Sequence, residues 1–213
     1  MKTSLYPKTF MWLFGGLLIS FITGYALYLN ETILANVFNS KAIWLLIILE
    51  LGVAIFFSVR IKKMSKATAI FCYALYSFLT GFTFGVLFVV YELESIILVF
   101  GITSVLFLIF ALYGYFTKRD ISRWGSFLLM ALIGIILCSV VNIFLHNSVF
   151  DLILTIVGII IFLGFIAYDM QKLKSLDEYL GEDKAAIFGA FQLYLDFINL
   201  FIRLLELFGK AKN

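Results

Sequence analysis

Seven stretches of this chain, at about 10–29, 41–59, 68–91, 95–116, 124–145, 149–170 and 186–208, are almost wholly apolar and long enough to cross a bilayer. A span needs about 20 such residues, because the hydrocarbon core is about 30 Å thick and an α-helix rises about 1.5 Å per residue. Inside that core no water bonds a free N–H or C=O, so each run must satisfy its own backbone as a helix. Composition agrees: 63% of the 213 residues are apolar and 14% charged, against about 45–50% and about 25% in a soluble domain. The expectation is an all-α polytopic membrane protein with seven transmembrane helices. Short polar connections and no linker or low-complexity tract make 1–213 a single domain. Pro7 is the one proline, so no kink is attributed to proline. No dense basic stretch outlasts a loop, which argues against a nucleic-acid partner.

Orientation follows from Lys and Arg, which favour the cytosolic side. Lys2 and Lys8 precede the first run; Arg60, Lys62, Lys63 and Lys66 follow the second; Lys118, Arg119 and Arg123 follow the fourth; Lys172, Lys174 and Lys184 follow the sixth. The alternate connections hold Glu31, Lys41, Glu92, Glu94, His146 and Asp151. The N-terminus is therefore expected in the cytosol. Seven full crossings then put Lys210 and Lys212 outside, so either the last run crosses and carries two outer lysines, or it stops short. The first run is too long for a signal peptide and lacks a small-residue cleavage site. Cys72 and Cys138 lie inside apolar runs and read as small core residues. His146 reads as an interfacial loop residue, and the sequon Asn30-Glu31-Thr32 sits too close to the first span to carry weight.

The last run breaks the pattern. Gln192, Asp196, Asn199, Arg203 and Glu206 are spaced 4, 3, 4, 3, which puts all five on one side of a helix. A helix lying flat on a membrane has a broad, basic polar face. Here the polar stripe is one residue wide, so the expectation is a helix packed on most sides, with one wet or hydrogen-bonded seam. A charged Asp at the bilayer centre costs about 2.5–3.5 kcal/mol on insertion scales. Asp196 persists there if it is paired, protonated or facing water. Burial and a second nearby carboxylate both make a carboxyl proton-sensitive. Glu50, Asp169 and Glu206 are the other acids within or at the ends of spans, and Arg60 and Arg203 the basic ones. Counting depth at about 1.5 Å per residue puts Glu50 and Asp196 near mid-membrane, and Arg60 and Asp169 near the inner edge. Contact between Asp169 and Asp196 then requires an early start to the last helix, or a tilt of about 20°.

These residues resemble a known family. "GFIAYDMQKLK" followed by "LYLDFINLFIRLLELFG" is similar to the C-terminal half of the Bax inhibitor one, or transmembrane Bax inhibitor motif, family; "LTGFTFG" at 79–85 and "LELGVAIFFSVRIKK" resemble its third and second helices. The resemblance covers nearly the whole chain, and the length resembles bacterial members. It implies six helices wrapped around a central C-terminal one, and a pH-dependent Ca²⁺ leak in which Asp169 and Asp196 are the paired sensor. It likewise implies that Arg60 is the latch and Glu50 the acid of the second helix. Ca²⁺ is then the permeant ion, with no cofactor. Ca²⁺ takes six to eight oxygens, so Asp169 and Asp196 with water would hold it weakly and transiently. Gln192 and Asn199, a turn either side of Asp196, would add carbonyl oxygens along the path or bond a neighbouring helix. Gly81 and Gly85 have small-xxx-small spacing and are assigned to helix packing.

Other readings stay open. A proton-coupled transporter would use the same acids, but no interrupted helix or inverted repeat is visible. A regulator of other membrane proteins would need partners that the residues do not specify. An intramembrane aspartyl protease would activate water between two Asp residues, but its G-x-G-D and Pro-Ala-Leu motifs are absent, so a non-enzyme is expected. The expected location is a bacterial cytoplasmic membrane, with an organelle membrane as the alternative, and the expected partners are lipid, Ca²⁺ and protons.

Overall fold

The ends of the helices show why the chain divides where it does. In the computed structural model, which describes residues 4–30, 32 and 42–212, the spans are α1 (Leu5–Tyr28), α2 (Ala42–Arg60), α3 (Lys66–Val90), α4 (Leu93–Phe116), α5 (Trp124–Leu145), α6 (Ser148–Leu180) and α7 (Glu182–Phe208). Glu31 of the sequon, together with Lys2 and Lys41, lies outside the described residues. All seven helices are long and apolar enough to cross a membrane. A short 3₁₀ turn, Ile61–Lys63, ends the second span. Ser65 then caps α3 by accepting from the Thr68 N–H at 3.1 Å, which satisfies a donor that the first turn leaves free. His146 ends α5 in the left-handed conformation (φ 51°). Beyond it, Asn147 Oδ1 accepts the Phe150 N–H and starts α6.

α6 departs from expectation. Its apolar run was expected to end near 170, yet the helix continues to Leu180 and α7 begins at Glu182, not 186. The continuation "QKLKSLDEYL" is too polar for a span but amphipathic. Leu173, Leu176 and Leu180 are buried on one face, while Lys174, Ser175, Glu178 and Tyr179 are exposed. At 33 residues, α6 is about 50 Å long, well beyond the hydrocarbon core. Gly181 separates it from α7 with φ 79°, a conformation glycine adopts at least cost.

The helices sort into two compact units. The first holds residues 1–92, 173–194 and 211–213. In it α1 packs closely on α3: Gly24 lies against Phe84 and the backbone of Gly81 and Gly85, and Gly81 lies against Thr23 and Ser20. Phe57 of α2 meets Phe188 and Phe191 of α7 at ring distances of 5.6 and 4.9 Å. Lys8, near the start of α1, pairs with Glu182 at the start of α7 at 2.6 Å. Lys212, beyond the end of α7, donates to Tyr28 at the end of α1 at 3.2 Å and to the Phe88 carbonyl at 2.7 Å. α1 and α7 therefore run parallel, and Lys212 lies at the end opposite Lys8. The last helix runs alongside the whole of α1, and Lys212 is held by a carbonyl and an aromatic ring.

The second unit holds residues 93–172 and 195–210. Phe100 and Phe107 of α4 pack on Phe197 of α7. Leu128 and Ile135 of α5 pack on Ile161 of α6. Gln171 binds the α4–α5 connection at both ends, accepting the Ile121 N–H at 3.0 Å and donating to the Arg119 carbonyl at 2.9 Å. Large apolar side chains such as Val59, Leu98, Phe127 and Phe144 point outward, as lipid permits and water penalises. α7 differs: 78% of its span residues are buried, against at most 50% in any other span.

Candidate functional site

Away from the ends of α7, the polar stripe is less buried than most of the helix, with one exception. Gln192, Asn199 and Arg203 are partly exposed and Glu206 is exposed, whereas Asp196 is buried at 5% exposure. Successive residues Ala185–Phe191 are all buried, so this segment is covered around its whole circumference. A seam of partial exposure thus runs along one side of α7, and Asp196 sits on its covered margin.

Asp169 of α6 is buried to the same degree, at 6% exposure. Both aspartates belong to the second unit, and their carboxyl groups are within hydrogen-bonding reach of each other. Two carboxylates are both acceptors, so their contact is a hydrogen bond only when one carries a proton. No donor from a described residue reaches Asp196 Oδ2. Lys172 lies one turn beyond Asp169, and its charge acts on both carboxyls. Sequence reasoning assigned Lys172 to a loop. The signal available was the i,i+3 spacing of Asp169 and Lys172, which only matters once the helix continues past 170.

The other candidates fall as follows. Asn199 donates through Nδ2 to the Leu195 carbonyl of its own helix at 2.7 Å, which leaves its side-chain oxygen to face elsewhere. Gln192 is half-buried in the first unit. Glu50, also there, is half-buried and accepts from Thr80 Oγ1 at 2.7 Å. Arg60 is exposed at the end of α2 and forms no ion pair among the described residues. Arg203 pairs with Glu206 at 3.1 Å and lies across Gly158, and Thr155 donates to the same Glu206 oxygen at 3.3 Å. No group of three or more His, Cys, Asp or Glu among the described residues is placed to hold a metal ion. A pair of carboxylates falls well short of the six to eight oxygens of a storage site.

The sequence profile of the family described as "Inhibitor of apoptosis-promoting Bax1" matches residues 2–213 of this chain. The chain belongs to the Bax inhibitor family of membrane proteins. Among its relatives, an uncharacterised protein of Borreliella burgdorferi is 39% identical over 218 residues, covering 100% of this chain and 94% of the relative. The inner membrane protein YbhL of Escherichia coli K12 is 39% identical over 213 residues, covering 96% and 91%. An uncharacterised membrane protein of Streptococcus pyogenes serotype M1 is 30% identical over 198 residues, covering 91% and 86%. Membership of the Bax inhibitor family, together with seven bilayer-length helices, fits a membrane transport or regulatory role.

Proposed function

We propose that this Bax inhibitor family protein is a pH-sensitive calcium leak channel of the bacterial inner membrane, with Asp169 and Asp196 as its proton sensor. One observation carries the reading: two acidic side chains from consecutive helices are buried within reach of each other in an apolar protein. Charged acids at such depth are costly and usually functional. Two groups that close titrate as a pair, so a change in pH changes the charge between α6 and α7 and biases a closed–open equilibrium. Arg60 is the proposed latch, holding the pair and closing the inner mouth in the closed state. Glu50, Asp196, Gln192 and Asn199 line the proposed path, offering oxygens too few to trap Ca²⁺ and enough to pass it. The lysine and arginine asymmetry supports a cytosolic N-terminus, and the name of the Escherichia coli relative supports the inner membrane.

Liposomes loaded with a calcium dye test this across pH, for the wild type, Asp169→Asn, Asp196→Asn and Arg60→Ala. The expected result is a pH-dependent Ca²⁺ flux in the wild type that loses its pH dependence in both Asn variants. Arg60→Ala should raise the leak under conditions that close the wild type. An unchanged pH profile in both Asn variants would remove the sensor, and the absence of flux in the wild type would remove the channel.

A further inference from the structure

The α7 seam continues past Asn199 to an arginine that the proposed function does not use. Arg203 lies two turns beyond Asp196 and one turn beyond Asn199, on the same side of the helix. Its side chain is a quarter exposed and runs across Gly158 of α6, where an added Cβ would stand 3.3 Å from Nε and 3.6 Å from Cδ. Gly158 shares the buried face of α6 with Leu154, Thr155 and Ile161. The arginine therefore lies against the covered side of its neighbour, away from the exposed Ile156 and Ile160. Arg203 Nη1 donates to Glu206 Oε2 at 3.1 Å. Thr155 Oγ1, itself buried, donates to the same oxygen at 3.3 Å. All these residues belong to the second unit.

This is not the arrangement of a simple anchor at a helix end. Lysine and arginine favour the cytosolic side, and the proposed orientation puts Arg203 toward the other side, so topology does not call for it. A guanidinium stays charged at any pH a cell meets, and a charge inside a span is costly and by default marks a polar path. The acid beside it is also positioned, since one carboxylate oxygen takes a donor from each helix. Together Arg203 and Glu206 carry no net charge. Seven residues of helix put Arg203 about 10 Å from Asp196 along the axis, close enough for an unpaired charge to be felt where water is scarce. Without Glu206 the arginine would repel cations from the seam. Without Arg203 the carboxylate would draw them in.

We propose that Arg203 sets which sign of charge enters the α7 seam, with Glu206 as its neutralising partner and Thr155 as the positioning residue for Glu206. The ligand class is the small inorganic ion, and the balance of two fixed charges decides between cation and anion, as charged side chains do in other ion paths. This deepens the proposed function and rests on its reading that ions move along the seam.

Cysteine reactivity in lipid nanodiscs tests it without calcium. Asn199→Cys, in a full-length chain with Cys72→Ala and Cys138→Ala, puts a single thiol in the seam one turn from Arg203. Its rates with a cationic and an anionic methanethiosulfonate reagent are compared. Glu206→Gln should raise the anionic-to-cationic ratio and Arg203→Gln should lower it, each on the order of tenfold. The double variant Arg203→Gln/Glu206→Gln should return close to the parent, because the two charges are coupled. Arg203→Lys, which keeps the charge, should stay near the parent. Thr155→Val, which loosens Glu206, should move the ratio as Glu206→Gln does, but by less. A general loss of packing has no such pattern of signs. A thiol that does not react, a ratio that ignores Glu206→Gln or Arg203→Gln, or a shift in the same direction in both would overturn the proposal. Absence of Ca²⁺ flux in the wild type is a separate result: it bears on calcium, while the ratios bear on the charge of the seam.

Discussion

Asp196 shows how one atom directs the chemistry of a site. Its Oδ2 has no donor among the described residues, and the charges that act on it are those of a carboxyl and a lysine from α6. The cation whose charge acts on the pair is Lys172, whereas Arg60, the expected latch, is exposed. Lys172→Gln removes a charge that favours ionised carboxyls, so in the proposed channel the pH profile of Ca²⁺ flux should move to higher pH. If the profile stays in place while Arg60→Ala moves it, the arginine is the controlling cation. Outside the spans, Asp120 accepts the Ser122 N–H at 2.9 Å, and this bond holds its carboxyl below the usual carboxylate range. A lowered folded value means that the turn's stabilisation is present above the ordinary carboxyl range and lost as pH falls through the lowered value. The protection of the Ser122 amide, its exchange rate relative to an unprotected amide at the same pH, should therefore be lost only as pH falls below the ordinary carboxyl range, and protection that does not depend on pH would contradict that. At this scale the sequence revealed the rare intramembrane acids directly. It concealed their hydroxyl neighbours, because Thr80 beside Glu50 and Thr155 beside Glu206 look like ordinary residues of an apolar helix until the packing brings them together.

α6 marks the limit of hydropathy at the scale of elements. An average over a window ends the helix where the charges begin, but helix continuation depends on the Leu173, Leu176 and Leu180 face finding cover. The seven spans themselves were legible because lipid leaves the backbone no alternative to a helix. The loop after α6 was not, since its length was a matter of tertiary burial. Gly181 is where the two last helices part. No atom lies near a Cβ added there, so Gly181→Ala carries only the cost of its φ of 79°, about 1 kcal/mol. Thermal unfolding in detergent should fall by a few degrees, and no change would show that another residue sets the break. Gly101 and Gly114, both on α4, make a sharper contrast. A methyl group at Gly101 meets open space, whereas one at Gly114 collides with the Ala167 backbone of α6. Gly114→Ala should be markedly destabilising and Gly101→Ala close to neutral; equal effects would contradict the close approach of α4 and α6.

At the scale of the whole molecule, Ser4 and Lys212 lie at opposite ends of the α1–α7 pair. Lysine counting alone left the tail in conflict with the other loops; the contacts of Lys212 with Tyr28 and Phe88 place that lysine at the end of α1 away from Lys8. Single cysteines at Ser4 and Lys212, in a cysteine-free background, should react with a membrane-impermeant reagent from opposite sides of sealed vesicles. Labelling from one side would mean that α7 does not cross. At the N-terminal end, Lys8 and Lys66 both pair with Asp183, and such exposed pairs are weak and screened by salt. Asp183→Asn should leave the thermal unfolding temperature in detergent almost unchanged, and the difference should shrink further in high salt. The central claim concerns the two buried aspartates, and infrared titration of the carboxyl bands in nanodiscs reads it most directly. If Asp169 and Asp196 titrate as a pair, the acid left in Asp169→Asn, and that left in Asp196→Asn, should titrate at a pH matching neither step of the wild type. A remaining carboxyl that titrates as it does beside its intact neighbour would contradict the account.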